Sequence, residues 1–252
     1  MSKIISIHSF RGGTGKSNST ANISVLMAAR GLRVGVVDTD IQSPGIHVLF
    51  GLEEDDDRSS LNDYLWGKCP IEEAAIDMTE SLGGDILGRL FLIPSSIKAG
   101  EIAKVLREGY DVALLQEGFQ RLVARLKLDV LIIDTHPGLN EETLLSIAIS
   151  DKLVIILRPD QQDYQGTGVT VDVARRLHVA DLLLLVNKVP QSLDPEAVRA
   201  KVAQAYDSEV AAVLQHSDEM MALASGGIFS LKYPDHKVTL TYRAVVDRLL
   251  RD

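Results

Sequence analysis

The run Arg11-Gly12-Gly13-Thr14-Gly15-Lys16-Ser17 constrains this chain more than any other stretch. It follows an apolar, β-branched segment, Lys3–Phe10, and leads directly into Ser17–Arg30, whose residues have helical periodicity. A strand that turns through closely spaced glycines into a helix can aim consecutive backbone N–H groups inward, and the helix N-terminus adds the positive end of its dipole. Such a cradle suits phosphate oxygens. Lys16 brings charge for β- and γ-phosphates, and the Ser17 hydroxyl a ligand for Mg²⁺.

The rest of the chain repeats this alternation. Strands are expected at Arg33–Asp38, Arg89–Ile93, Asp129–Asp134, Lys152–Leu157, Asp181–Asn187 and Glu209–Leu214. Val130–Ile133 and Leu182–Val186 are continuously apolar, as strands are when helices cover both faces of a sheet. Helices are expected at Ala99–Lys127 with a break near Gly109, and at Glu142–Ser150, Gln165–His178, Pro195–Tyr206 and Thr241–Arg251. Asp194 suits the cap before Pro195, and Ser60 the cap of a short helix, Leu61–Trp66. The pattern predicts an α/β fold: a mostly parallel twisted sheet with helices on both faces. No repeat, low-complexity tract or Pro/Gly/Ser-rich linker divides it, so one domain over residues 1–252 is expected.

Composition bounds the chemistry. Cys69 is the sole cysteine, which excludes an internal disulfide framework and a Cys-only metal or iron–sulfur site within one chain. A reducing cytoplasm is the expected setting. No stretch approaches the roughly 18–20 apolar residues of a membrane span, and Ile4-Ile5-Ser6-Ile7 is interrupted too soon for a signal peptide. The net charge is −9, which argues against a chain that coats nucleic acid over its whole surface but leaves room for a local basic patch. Much of the acidity lies in Glu53-Glu54-Asp55-Asp56-Asp57, either a solvated loop or a docking face for a basic partner.

The glycine loop carries a cation, Arg11, immediately before its first glycine. This resembles the deviant Walker A motif of the MinD/ParA family of P-loop ATPases, in which that position is normally lysine. Val36-Val37-Asp38-Thr39-Asp40 with Pro44-Gly45 resembles the family's second motif and switch I. Leu131-Ile132-Ile133-Asp134-Thr135 with Pro137-Gly138 resembles its Walker B and switch II, and Asn187-Lys188 its base-contacting asparagine. The matches span roughly residues 3–217 in the family's order.

The resemblance implies a slow, partner-stimulated ATPase that uses ATP and Mg²⁺ and forms an ATP-dependent homodimer with the two nucleotides sandwiched between subunits. Gly12, Gly13, Thr14, Gly15, Lys16, Ser17, Asn18, Asn187 and Pro159 would surround the nucleotide. Ser17, Asp38 and Asp134 would hold the metal, both carboxylates standing at strand ends where open α/β sheets place their crevice. Asp40, just past its strand, would orient the attacking water, the bland reading being a loop or capping residue. Arg11 would reach the partner's phosphates in trans, with a planar fork in place of an ammonium. The other reading is that Arg11 pairs with a local carboxylate while a second cation, Lys152 being the candidate, takes that part. His136, inside the switch II match, could touch the γ-phosphate region, the preferred reading being a surface loop histidine; His216 resembles an adenine-side loop, and Met220-Met221 suit core or interface packing.

What varies across the family is the surface that the dimer binds. A ParA-like member uses nonspecific DNA, and an adaptor or activator protein stimulates release. Lys232, Lys237, Arg243, Arg248 and Arg251 make the tail locally basic, which is permissive for phosphate contacts. A MinD-like member instead inserts a basic amphipathic helix into membrane and governs division or flagellar placement. Thr241–Asp252 ends acidic, with Leu and Val positions suited to packing on the domain. The preferred expectation is a cytoplasmic, nucleoid-associated ATPase that distributes a cargo, of carboxysome or plasmid kind, over DNA. An iron–sulfur carrier lacks the cysteines it needs, and a ligase of the same fold would hydrolyse ATP only with its substrate present.

Overall fold

The computed structural model describes residues 2–53, 58–83 and 86–251. Residues 54–57 of the acidic run lie outside the described residues. β1 (Lys3–His8) leads into α1 (Lys16–Ala29) and β2 (Arg33–Asp38). Two short helices, α2 (Ile46–Leu49) and α3 (Leu61–Leu65), and a 3₁₀ turn at Ile71–Ala74 come before β3 (Ile76–Asp77) and β4 (Arg89–Ile93). α4 (Ala99–Glu108) and α5 (Ala113–Leu126) precede β5 (Val130–Asp134), α6 (Glu141–Ala148) and β6 (Lys152–Leu157). α7 (Gln161–Arg176), β7 (Asp181–Val189), α8 (Pro195–Tyr206) and β8 (Glu209–Gln215) continue the alternation. α9 (Asp218–Leu223), α10 (Phe229–Lys232) and α11 (Lys237–Leu250) complete it.

Among the described residues the strands form one sheet in the order β3-β4-β2-β5-β1-β6-β7-β8. All pairings are parallel except that of β3, a two-residue edge strand antiparallel to β4. The apolar strands β5 and β6 flank β1 at the centre, where both faces are covered. Along β2, Val34 and Val36 join the core beneath α1 and α11, while Val37 joins the core beneath α5. Beyond β6, Leu153, Ile155, Leu184 and Val186 pack with Val171 of α7 and Val198 of α8. The expected α/β architecture is therefore present.

Several boundaries differ from expectation for local reasons. α7 begins at Gln161 rather than Gln165 because the Asp160 side chain caps it, accepting from Asp163 N at 3.0 Å. α11 begins at Lys237 rather than Thr241, with His236 Nδ1 accepting from Val238 N. The break near Gly109 is present, that residue closing α4 at φ 66°. Ser60 and Asp63 form a reciprocal capping box on α3, and Asp194 caps α8 ahead of Pro195. β3, α2, α9 and α10 carry too few residues for periodicity to have revealed them.

The last helix is committed to the core. Val238, Tyr242, Val245, Val246 and Leu249 of α11 are buried, and the Tyr242 hydroxyl meets Ser19 Oγ of α1 at 3.0 Å. α1 is buried around most of its circumference, which explains its small and polar residues Ser19, Thr20, Ala21, Asn22 and Ser24. No helix among the described residues is long and apolar enough to cross a membrane.

Candidate functional site

β1 is the switch point of the sheet, since the chain leaves it through α1 for β2 and later returns through β5 and β6 on either side. Loops from the carboxyl ends of β1, β2 and β5 thus converge, as expected of ligand crevices in open α/β sheets. Because β5 inserts between β1 and β2, Asp134 lies in register with both Ile7 and Asp38. The two strand-end carboxylates are therefore neighbours, and both are buried.

The glycine loop wraps this junction. Gly13 and Gly15 have φ of 78° and 95°, which L residues rarely adopt. A Cβ on Gly15 would also run into Asn187 Nδ2. At Gly12, by contrast, φ is ordinary and a Cβ would meet no protein atom within 4 Å. Packing within the chain does not require glycine there, and the open space beside the backbone leaves room for a ligand to approach closely.

Lys16 opens α1 and turns its ammonium inward, to 2.9 Å from Asp134 Oδ1, an oxygen that also accepts from Thr20 Oγ1 at 2.9 Å. Asp134 Oδ2 is buried and meets no hydrogen-bond donor among the described residues. Asp38 accepts from Asp40 N at 2.9 Å and Gly45 N at 3.3 Å. Burial, and then the neighbouring Asp134 charge, push its carboxyl up to about 7, although Lys16 pulls the other way. A concentration of buried anionic oxygens with one open coordination position suits a hard divalent cation, and the Ser17 hydroxyl stands at the start of the same helix. The residues present fit Mg²⁺ and a polyphosphate.

Asp40 lies two residues past β2 and is largely buried. Its Oδ1 is 2.6 Å from His136 Nδ1 and accepts from Ser43 N at 3.2 Å. His136 is therefore not the free surface histidine expected from the sequence. His8, to which sequence reasoning assigned no part, is fully buried with Nδ1 2.7 Å from Thr135 Oγ1. Burial, then the Lys16 and His136 charges, push its ring down to about 3, so it is neutral in ordinary buffers.

Beside the glycine loop, a cleft of about 500 Å³ is lined by residues that include Gly15, Asn18, Asn187, Lys188, His216 and Met221. Asn187 does not reach freely into it. Its Nδ2 donates to Thr14 O at 2.8 Å and its Oδ1 accepts from Lys188 N at 2.8 Å, so the side chain braces the glycine loop. Lys188, at φ 57° in the irregular end of β7, adds a bond from Nζ to Gly13 O at 2.8 Å. Met220 packs against the core, whereas Met221 is 64% exposed. Pro159, on the β6–α7 loop, is not among the cleft residues.

The two cation candidates resolve differently. Arg11 lies over the start of α7, 3.4 Å from Asp163 and 3.7 Å from Asp160, while Arg158 holds Asp163 more closely at 3.0 Å. Within this subunit Arg11 pairs locally. Lys152 does not lie near the glycine loop as expected: it is the first residue of β6, at the amino end of the parallel strands, whereas the loop follows the carboxyl end of the neighbouring β1. Its Nζ is buried and bound to Asp181 Oδ2 and Arg251 O, both at 2.8 Å. Within the chain its ammonium is held away from the glycine loop, which argues against a part as the substitute cation. Of the basic tail, Arg248 is likewise engaged, with Asp181 and Glu209.

Comparison with known proteins agrees with this fold. A family model described as "AAA domain" matches residues 2–180. The chain is 26% identical over 250 residues to an uncharacterised ATP-binding protein of Methanocaldococcus jannaschii, covering 99% of this chain and 88% of that one. The septum site-determining protein MinD of Pyrococcus horikoshii, solved with Mg-ADP, superposes at TM-score 0.82 with 23% identity, over 100% of this chain and 97% of the other. Apo McdA of Cyanthece superposes at 0.77 with 16% identity, over 99% and 100%.

Proposed function

The chain belongs to the AAA domain family, and from that premise we propose that it is a MinD/ParA-type ATPase that dimerises with ATP and positions a cargo over nucleoid DNA. The observation that supports this best is the junction of Lys16, Asp134 and Asp38, with Asp40 one loop away, at the point where the glycine loop meets three strand ends. In this reading the backbone N–H groups of Gly12–Gly15 and the α1 N-terminus bind phosphates, and Lys16 neutralises them. Ser17, Asp38 and Asp134 would hold Mg²⁺, which would supply positive charge against the phosphates. Asp40 accepts a hydrogen bond from the attacking water and so aims it at the γ-phosphorus. Asn18, Asn187 and Pro159 belong to the nucleotide's surroundings, Asn187 by bracing Thr14.

Arg11 extends from the loop toward a second copy of the chain once freed from Asp160 and Asp163. Its partner contact would raise hydrolysis only in the dimer, so turnover stays low until a partner protein favours that state. DNA is the preferred surface because the apolar face of α11 is packed in the core and not available to lipid. Lys232, Lys237 and Arg251 remain exposed for phosphate contacts. The likeness to a septum site-determining protein supports a second reading, in which the ATP-bound dimer sits on membrane.

Sedimentation with nonspecific DNA and, in parallel, with anionic liposomes tests the proposal, each under ATP and ADP, alongside phosphate release by wild type and Asp40→Ala. ATP-dependent DNA binding with hydrolysis abolished by Asp40→Ala is the expected result. Binding to liposomes alone favours the second reading, and hydrolysis that survives Asp40→Ala removes that residue from the chemistry.

A further inference from the structure

Asp38 and Asp134 are paired in register on β2 and β5. The residues two positions further along each chain, Asp40 and His136, consequently emerge side by side from adjacent loops. Their contact, Nδ1 to Oδ1 at 2.6 Å, is short enough for a charge-assisted hydrogen bond. An ionised carboxylate only accepts, so the ring carries its proton on Nδ1. Both partners are shielded, His136 at 23% and Asp40 at 13% side-chain exposure.

Each side of the contact is anchored. The His136 carbonyl accepts from Thr143 Oγ1 at 3.3 Å, and Thr143 sits in the first turn of α6, its N–H capped by Asn140 Oδ1 at 2.9 Å. On the other side Asp40 N is held by Asp38 Oδ1. The bonds from His136 and from Ser43 N both fall on Asp40 Oδ1, and Oδ2 takes part in neither. A carboxylate pinned by one oxygen presents the other in a set direction.

We propose that His136 is a positioning residue for hydrolysis: its Nδ1–H fixes the Asp40 carboxylate so that Oδ2 is aimed at the attacking water, and the β2 and β5 loops set that aim jointly. This rests on the reading of Asp40 given above. A displacement of about 1 Å at such a group costs on the order of 100-fold in rate, without a matching loss of substrate binding.

The test compares wild type with His136→Ala, His136→Asn and His136→Gln. Asn carries its amide nitrogen the same number of bonds from Cα as Nδ1, whereas Gln carries it one bond further. His136→Ala and His136→Gln are expected to lower kcat for ATP about 10–100-fold with KM changed less than about threefold, and His136→Asn to recover most of the loss. Independently of turnover, long-range ¹H–¹⁵N spectra of the nucleotide-free wild type should show a ring protonated at Nδ1 whose signals move in Asp40→Ala. Unchanged kcat in His136→Ala, equal losses in Ala and Asn variants, or a ring indifferent to Asp40→Ala each overturn the proposal. A wild type without any ATP turnover overturns the ATPase reading and this role with it; the ring spectrum, still showing the contact, tells that failure from the others.

Discussion

The ammonium of Lys16, first residue of α1, lies 2.9 Å from Oδ1 of Asp134, last residue of β5, and both side chains are buried. The pair joins the glycine loop to the strand that separates β1 from β2. Removing one member leaves the other charge buried and uncompensated, which typically costs about 3–5 kcal/mol. Lys16→Ala should therefore lower the stability of the nucleotide-free protein by about 3 kcal/mol or more. It should also weaken ADP binding by about 10–100-fold, the worth of a charge-assisted contact. Urea unfolding and titration with a fluorescent ADP analogue measure the two effects, and a variant that binds ADP normally would remove Lys16 from the site.

Asp38 leads to a pH dependence. Its carboxyl is raised from 3.8 to about 7 by burial and by Asp134. A raised folded value contributes stability that is complete below the unfolded value and is lost as pH rises through the folded one. In EDTA the wild type should lose stability between about pH 4 and pH 7 on this account. Asp38→Asn should flatten that part of the profile while abolishing the Mg²⁺ dependence of nucleotide binding. Melting curves across the window, with and without Mg-ADP, would show it, and a wild-type profile identical to that of Asp38→Asn would refute it.

His8 acts in the opposite direction. Its ring value falls from 6.5 to about 3 on folding, so its contribution is complete above 6.5 and is lost as the pH drops through that window. The full shift amounts to several kcal/mol. His8→Asn keeps a donor for Thr135 Oγ1 and has no titrating ring. Its melting temperature should fall less steeply than that of wild type between pH 6.5 and pH 4. Equal slopes for the two proteins would count against a neutral, buried His8.

Arg11 and Lys152 should separate cleanly. Arg11 is partly exposed and Asp163 is already held by Arg158, so Arg11→Ala should change stability by less than about 1 kcal/mol. If the residue acts across a dimer, its loss should still lower ATP turnover at high protein concentration about 10³-fold. Lys152→Ala breaks buried bonds to Asp181 and Arg251 and should cost about 1–3 kcal/mol of stability, with turnover unchanged at temperatures where the variant is folded. Steady-state phosphate release set beside unfolding curves decides the matter, and the reverse pattern would restore Lys152 as the active cation.

Local sequence determined what depends on neighbours along the chain. The glycine loop with its following helix, the apolar strands Arg33–Asp38, Arg89–Ile93 and Lys152–Leu157, and the Asp194–Pro195 helix start all follow from spacing, branching and capping within a few residues. The resemblance carried by the glycine loop, Val36–Asp40 and Leu131–Thr135 grouped Lys16, Asp38, Asp40 and Asp134, and the fold brings them close to one junction. Tertiary structure alone decided which side chains meet across the sheet. The insertion of β5 between β1 and β2 sets His136 against Asp40, residues 96 positions apart, and no local periodicity records that register. Packing likewise placed Lys152 at the far end of the strands against Asp181, turned Asn187 onto Thr14, and seated Arg11 beside Asp163. The partner of a charged or amide side chain is set by long-range strand order, and its sequence neighbours carry no information about that order.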